Sequence, residues 1–150
     1  MATRAAASPA NVLVSSRIFP FPPSRLYDAF ADPSTLALWW GPHGATSRFE
    51  EFDLRPGGRW RFTMEGPWGS LPMAKTFTVV EPGRRVTILH KQEGHTFTLD
   101  MTLEAVSGGT RLTWRTTFET AEQLSAIREL FARGNEENFD RLATVLGHAE

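Results

Sequence analysis

The spacing of apolar positions changes period along this chain, and each change marks a new kind of element. Between Asn11 and Phe19, Val12, Val14 and Ile18 read as a first strand, which Pro20, Pro22 and Pro23 end. Ser24 to Phe30 predicts a short helix with Leu26, Tyr27 and Phe30 facing inward. Asp32-Pro33 is a helix-start signal, with Asp as N-cap and Pro in the first turn. The second helix then runs to about Leu38 and stops before Gly41-Pro42.

From Thr46 the period becomes two. Trp60, Phe62 and Met64 alternate with Arg59, Arg61 and Thr63, the pattern of a strand with one buried face. Met73, Phe77 and Val79 suggest the next strand, broken by Pro82-Gly83. Arg85 to Lys91 follows, then a Glu93-Gly94 turn, then Phe97, Leu99, Met101 and Leu103 alternating with polar residues. Ser107-Gly108-Gly109 reverses the chain, and Leu112, Trp114 and Phe118 finish the sheet. Short connections predict antiparallel neighbours. Thr120 to Gln123 fits a capping box, opening a helix to about Leu146 that ends near Gly147. On it, Leu124, Ile127, Phe131, Leu142 and Val145 form one stripe.

The expected fold class is therefore α+β. A curved antiparallel sheet of about six or seven strands wraps around a long C-terminal helix, with two short helices after the first strand. Helix and sheet cannot close completely over each other, so a cavity between them is expected. One domain spanning residues 11–147 follows, preceded by a disordered tail over 1–10.

Composition sharpens this picture. The 150 residues suit one domain with a real core. A net charge of -1 implies no basic face, so nucleic acid is not an expected partner. With no cysteine, disulfides and thiolate chemistry are excluded. The 11 Phe and 5 Trp against one Tyr predict a bulky, rather dry interior. The first ten residues lack the apolar run of a secretory signal, and no stretch approaches a membrane span of roughly 18 apolar residues. A cytoplasmic protein, monomeric or weakly dimeric through its strand edges, is the expectation.

Two signatures stand out: Trp39-Trp40-Gly41-Pro42, and Asp53-Leu54-Arg55-Pro56-Gly57-Gly58-Arg59-Trp60. Glu81-Pro82 before a strand, Gly109-Thr110-Arg111-Leu112-Thr113 in the last strand and Arg141-Leu142 in the helix accompany them. In this order the chain, over roughly residues 11–147, resembles the START-like, helix-grip superfamily, also called SRPBCC. Within it, the chain is similar to the family named after the activator of the 90-kDa heat shock protein ATPase. The resemblance implies a hydrophobic pocket beneath the long helix, no cofactor and no single chemistry. Relatives include lipid and hormone carriers, polyketide cyclases, antibiotic-sequestering proteins and a chaperone regulator. That regulator carries a further N-terminal domain, for which this chain has no room.

The candidate site residues follow from pattern and resemblance together. Trp40, Trp60, Phe62, Phe77, Phe97, Trp114, Phe118 and Phe131 should face the interior, and all but Phe118 are candidate ligand contacts. Asn138 lies about 20° from Phe131 on the helical wheel, and Gly134 lies one turn before it. Either both line the pocket and Asn138 orients a ligand, or Asn138 satisfies a backbone or water partner and Gly134 permits close packing. His90 reads as a strand-end histidine near a turn, with an inward acid–base role as the alternative; His43 sits at the pocket mouth or in a solvated loop. None of His43, His90, His95 or His148 has metal-ligand spacing, so no metal site is expected. Asp53 and Arg55 suggest a surface ion pair, and Glu50-Glu51 one carboxylate outside and one inside or at an edge, the latter a candidate general base. Trp68, on the Gly66-Pro67-Trp68-Gly69 turn, gates the pocket, contacts a partner or decorates the hairpin. The function expected first is binding of a hydrophobic small molecule. The alternatives are a cyclase- or hydrolase-like enzyme in the same pocket, or a chaperone-regulating module.

Overall fold

A computed structural model describes residues 9–91 and 96–148, with the side chain of His148 excluded. Most of the expected tail, the Glu93-Gly94 turn and His95 lie outside these residues. The elements run β1 (Val12–Phe19), α1 (Pro23–Ala31), α2 (Pro33–Trp39), β2 (Thr46–Phe52), β3 (Arg59–Gly66), β4 (Gly69–Glu81) and β5 (Arg85–His90). They continue through β6 (Phe97–Val106), β7 (Gly109–Phe118) and α3 (Ala121–His148). Order and type agree with the alternation and capping signals. Among the described residues, no helix is long and apolar enough to cross a membrane.

The seven strands form one open antiparallel sheet in the order β1-β7-β6-β5-β4-β3-β2. Strands β2 to β7 pair with their sequence neighbours, as short connections require. Strand β1 pairs with β7, from Val12 opposite Thr117 to Phe19 opposite Thr110, so the first strand closes on the last. Helix α3 packs across β1 and β7 and against α1 and α2. Two polar ties hold it to β1: Asn135 Nδ2 donates to Ser15 Oγ at 3.1 Å, and Arg17 pairs with Glu136 and Asp140.

Local chemistry sets the boundaries. The Asp32 carboxylate accepts from Ser34 N at 3.2 Å and from the Thr35 hydroxyl at 2.9 Å, capping α2 behind Pro33. Thr120 Oγ1 accepts from Gln123 N at 3.1 Å, while Gln123 Oε1 reaches back to Glu119 N. Between β2 and β3, a Cβ at Gly58 would lie 1.9 Å from Asp53 O, so only glycine lets the hairpin close.

Two β-bulges change which residues face inward. The first falls between Phe49 and Glu51 opposite β3, so Phe49 and Phe52 both pack on Trp60. Glu50 and Glu51 consequently both stay on the outer face, where Glu50 accepts from Thr63 and Glu51 from Arg61. Of the two places expected for the second carboxylate, inside or at an edge, the pair takes the edge, since β2 is an outermost strand, which removes Glu50 as a buried base. The second bulge, between Phe77 and Val79, turns Val80 rather than Val79 onto the core.

Buried apolar residues form two clusters. The larger includes Phe30, Trp39, Trp60 and Phe77 together with Phe139, Leu142 and Leu146 of α3. The smaller joins Leu13 and Phe118 to Leu124, with Ile127 and Phe131 packed against it. Trp39 and Trp60 are both buried, but only Trp39 has an acceptor for its indole N–H: Nε1 donates to Ala29 O at 3.0 Å, whereas Trp60 Nε1 has none. Trp39→Phe should therefore destabilise by about 1 kcal/mol or more beyond Trp60→Phe, since only the former orphans a buried carbonyl. Urea unfolding of the two variants tests this, and a larger loss for Trp60→Phe would contradict it.

Candidate functional site

Between its two apolar clusters α3 carries Gly134, Asn135 and Asn138, and there the helix and sheet part. The gap is a cavity of about 570 Å³ between the helix, the loop after α2 and strands β3 to β7. Its floor includes Lys75, Ile88, Leu99 and Trp114, all buried. Its rim includes Trp68, Leu71 and Leu130, three exposed apolar side chains. Six of the nine expected site residues line it: Trp40, Phe97, Trp114, Phe131, Gly134 and Asn138. The other three, Trp60, Phe62 and Phe77, do not. They are 0% exposed and belong to an aromatic block in which Trp60 stacks on Phe62 at 4.7 Å, and Phe30 and Phe52 cover Trp60 and Phe77. Alternation identifies the inward face of a strand but not the depth of what lies over it.

The loop Trp40–Ala45 forms one wall, and α3 holds it by backbone hydrogen bonds. Asn138 Oδ1 accepts from Gly41 N at 2.7 Å, and Glu137 Oε1 from His43 N at 2.9 Å. The Arg141 guanidinium donates to the carbonyls of Leu38 (2.8 Å), Gly41, Pro42 and Ala45 (each 3.0 Å), with Trp40 O at 3.4 Å. Burial lowers the Arg141 pKa from its ordinary value. Gly41 sits at φ 107°, a left-handed backbone that glycine adopts readily. So fixed, the Trp40 ring lies 4.9 Å from Trp60 and 5.2 Å from Trp114. At the other end Phe131 closes onto Phe97 and Phe118, at 5.5 and 5.3 Å.

Asn138 thus borders the cavity but uses both ends of its amide on backbone, since Nδ2 also donates to Gly134 O at 2.8 Å. Of its two readings, the backbone partner is the one present. Gly134 is different: a Cβ there would meet nothing within 4 Å, so it borders open space and close packing is not its role. Trp68 lies over Gly66 at the rim, where a Cβ would come 2.6 Å from its ring. His43 is at the rim and exposed, with Nε2 3.8 Å from Asp140 Oδ2. Asp53 and Arg55 form the expected surface pair at 2.8 Å.

Sequence reasoning missed the polar heart of the floor. Lys75 falls between Met73 and Phe77 on the inward face of β4 and is 7% exposed. Its Nζ lies 3.2 Å from Nδ1 of His90, the end of β5, and 5.4 Å from the centre of the Phe97 ring. His90 is at a strand end, as expected, and it also points inward: it is 3% exposed and stacked on Phe97 at 4.7 Å. The signal for Lys75 was the alternation itself. Desolvation pushes the Lys75 amine down to about 7. An amine and an imidazole thus meet inside an apolar chamber, an arrangement able to bind an oxygen acceptor or move a proton.

Two measurements check this geometry. Asn138→Ala should lower unfolding stability by about 1–3 kcal/mol, because the buried Gly41 N–H loses its acceptor; an unchanged denaturation midpoint would exclude the bond. For Lys75, the unfolded amine holds its proton up to 10.5 and the folded one to about 7. Between those values the unfolded state binds more protons, so stability rises with pH. Wild type should gain on Lys75→Met by up to about 1.4 kcal/mol per pH unit across that window. Parallel pH–stability profiles would contradict a buried amine.

Comparison with known proteins places these features. The family model described as Activator of Hsp90 ATPase homolog 1-like protein matches residues 20–147. A search of curated proteins gives no match. Among solved structures, protein NE0264 from Nitrosomonas europaea is 22% identical, with 94% of this chain and 97% of that one covered and a TM-score of 0.85. A protein from Rhodobacter sphaeroides is 25% identical, covers 95% of each chain and has a TM-score of 0.85. Protein Ms6760 from Mycobacterium smegmatis is 26% identical, with 94% of each chain covered and a TM-score of 0.83. The match spans the loop that α3 holds, strands β2 to β7 and α3 up to residue 147, and the chain belongs to the Activator of Hsp90 ATPase homolog 1-like family.

Proposed function

We propose that this protein binds a hydrophobic small molecule in the chamber between α3 and the sheet. The observation that carries the reading is the chamber's position. It lies where α3 interrupts two packed apolar clusters with Gly134, Asn135 and Asn138, against a sheet face of Trp, Phe, Leu, Ile and Met. Sites of roughly 300–1,000 Å³ suit small organic ligands, and about 570 Å³ falls within that range. Trp40, Phe97, Trp114 and Phe131 supply apolar contact area, and Trp68, Leu71 and Leu130 extend it to the entrance. The family likeness supports the same reading, since the fold commonly houses hydrophobic ligands.

Gly134 gives a test in which stability and binding move in opposite directions. Leucine in place of glycine inside a helix gains roughly 0.5–1 kcal/mol in propensity, and its side chain enters open space. Gly134→Leu should therefore be at least as stable as wild type. It should also lose the saturable amide shifts that a panel of hydrophobic metabolites induces in wild type around Trp114, Phe131 and Asn138. Shifts that persist in Gly134→Leu, or that never arise in wild type, would set the reading aside.

A further inference from the structure

We propose that Lys75 anchors the carboxylate of an apolar acid, so that the ligands this chamber selects are hydrophobic monocarboxylates. The inference rests on the pocket reading above and deepens it.

The argument begins with donors and charge. An ammonium group has three N–H donors, and the contact with His90 Nδ1 accounts for one. The cavity residues around Lys75 are apolar: Met73 on its own strand, Ile88 on β5, Phe97 and Leu99 on β6. Among the described residues no carboxylate pairs with Lys75. Acidic groups on the surrounding elements are committed elsewhere. Asp100 points to the outer face and holds Arg85 and Thr87, while Glu137, at the rim, accepts from His43 N. A buried cation without a counter-charge is costly, and water in an apolar chamber offsets that cost poorly. A ligand carboxylate supplies both the missing charge and acceptors for the remaining donors. A hydrocarbon or an alcohol of the same length leaves the charge unmatched, and an amine repels it. The aromatic and aliphatic walls then take the apolar body of the acid, whose far end points to the rim of Trp68, Leu71 and Leu130.

The depressed basicity of the amine makes this selection pH-dependent. Above about 7 the empty site loses its proton, and a carboxylate must bring one back to pair with it. His90 of β5 stands beside the amine, and the other titratable or charged groups on the cavity are His43 on the loop after α2, and Arg133 and Glu137 on α3. Comparison with Lys75→Met separates the lysine from all four. That variant replaces a buried amine by an apolar chain of similar length and keeps the fold.

The experiment titrates the full chain with decanoate and with 1-decanol at pH 6 and pH 9, read by the fluorescence of Trp40 and Trp114, which line the cavity. Decanoate is ionised at both pH values. At pH 6 wild type should bind decanoate at least tenfold more tightly than 1-decanol, and the preference should shrink at pH 9. Lys75→Met should lose the preference for the acid while binding 1-decanol at least as well as wild type. Equal affinities in wild type, or a preference that survives in Lys75→Met, overturn the anchor and leave the pocket reading standing. Binding of neither probe overturns both.

Discussion

The Arg141 guanidinium is the contact on which the rest of this architecture depends. A loop carrying Trp40, Gly41 and Pro42 through the interior leaves carbonyls that helix and sheet ladders do not satisfy, and buried carbonyls require donors. One side chain of α3 reaches Leu38, Gly41, Pro42 and Ala45 at once, with Asn138 and Glu137 taking the amides of Gly41 and His43. The bonds run from three residues on one stretch of helix to one stretch of loop. They fix the spacing between α3 and the loop, and with it the position of Trp40. A chamber whose wall is a loop would otherwise collapse, because dispersion and apolar burial both favour closing an empty space.

The helix shows how the space stays open. Its N-terminal part is anchored by Leu124, Ile127 and Phe131, its C-terminal part by Phe139, Leu142 and Leu146. The two anchors are held rigidly apart by the helix between them, so residues 133–138 bridge the gap as a beam. Asn135 takes Ser15 at the β1 side, and Gly134 adds no side chain to the open side. Nothing in this arrangement depends on loop flexibility; the space follows from packing at either end.

Much of this was legible in the chain. Period-two alternation gave every strand from Trp60 onward, Asp32-Pro33 and Thr120 gave two helix starts, and the paired tryptophans with Gly57-Gly58 pointed to the fold. The missing parts have specific causes. The β1–β7 pairing joins residues about a hundred positions apart, a separation no local pattern reports. The bulges at Phe49/Glu51 and Phe77/Val79 shift the alternation by one, which misplaces Glu50 and Val79. Trp60, Phe62 and Phe77 share the inward face with true cavity residues, and the covering Phe30, Phe49 and Phe52 make them core. Lys75 was hidden in plain alternation: its position says inward, its charge says outward, and position prevails.

The pairing of β1 with β7 also bears on how the molecule comes to exist. Local hairpins can form as the chain leaves the ribosome, but the first strand stays without its neighbour until β7 has been made. The face of β6 and β7 bearing Phe97, Trp114 and Phe118 stays uncovered still longer, since Phe131 and Phe139, which pack on it, belong to α3, the 28-residue segment that follows β7. Long-range closure of this kind slows folding, because chain entropy is lost before the contacts that offset it are made. A nascent chain therefore presents the aromatic face of β6 and β7 until α3 emerges to cover it.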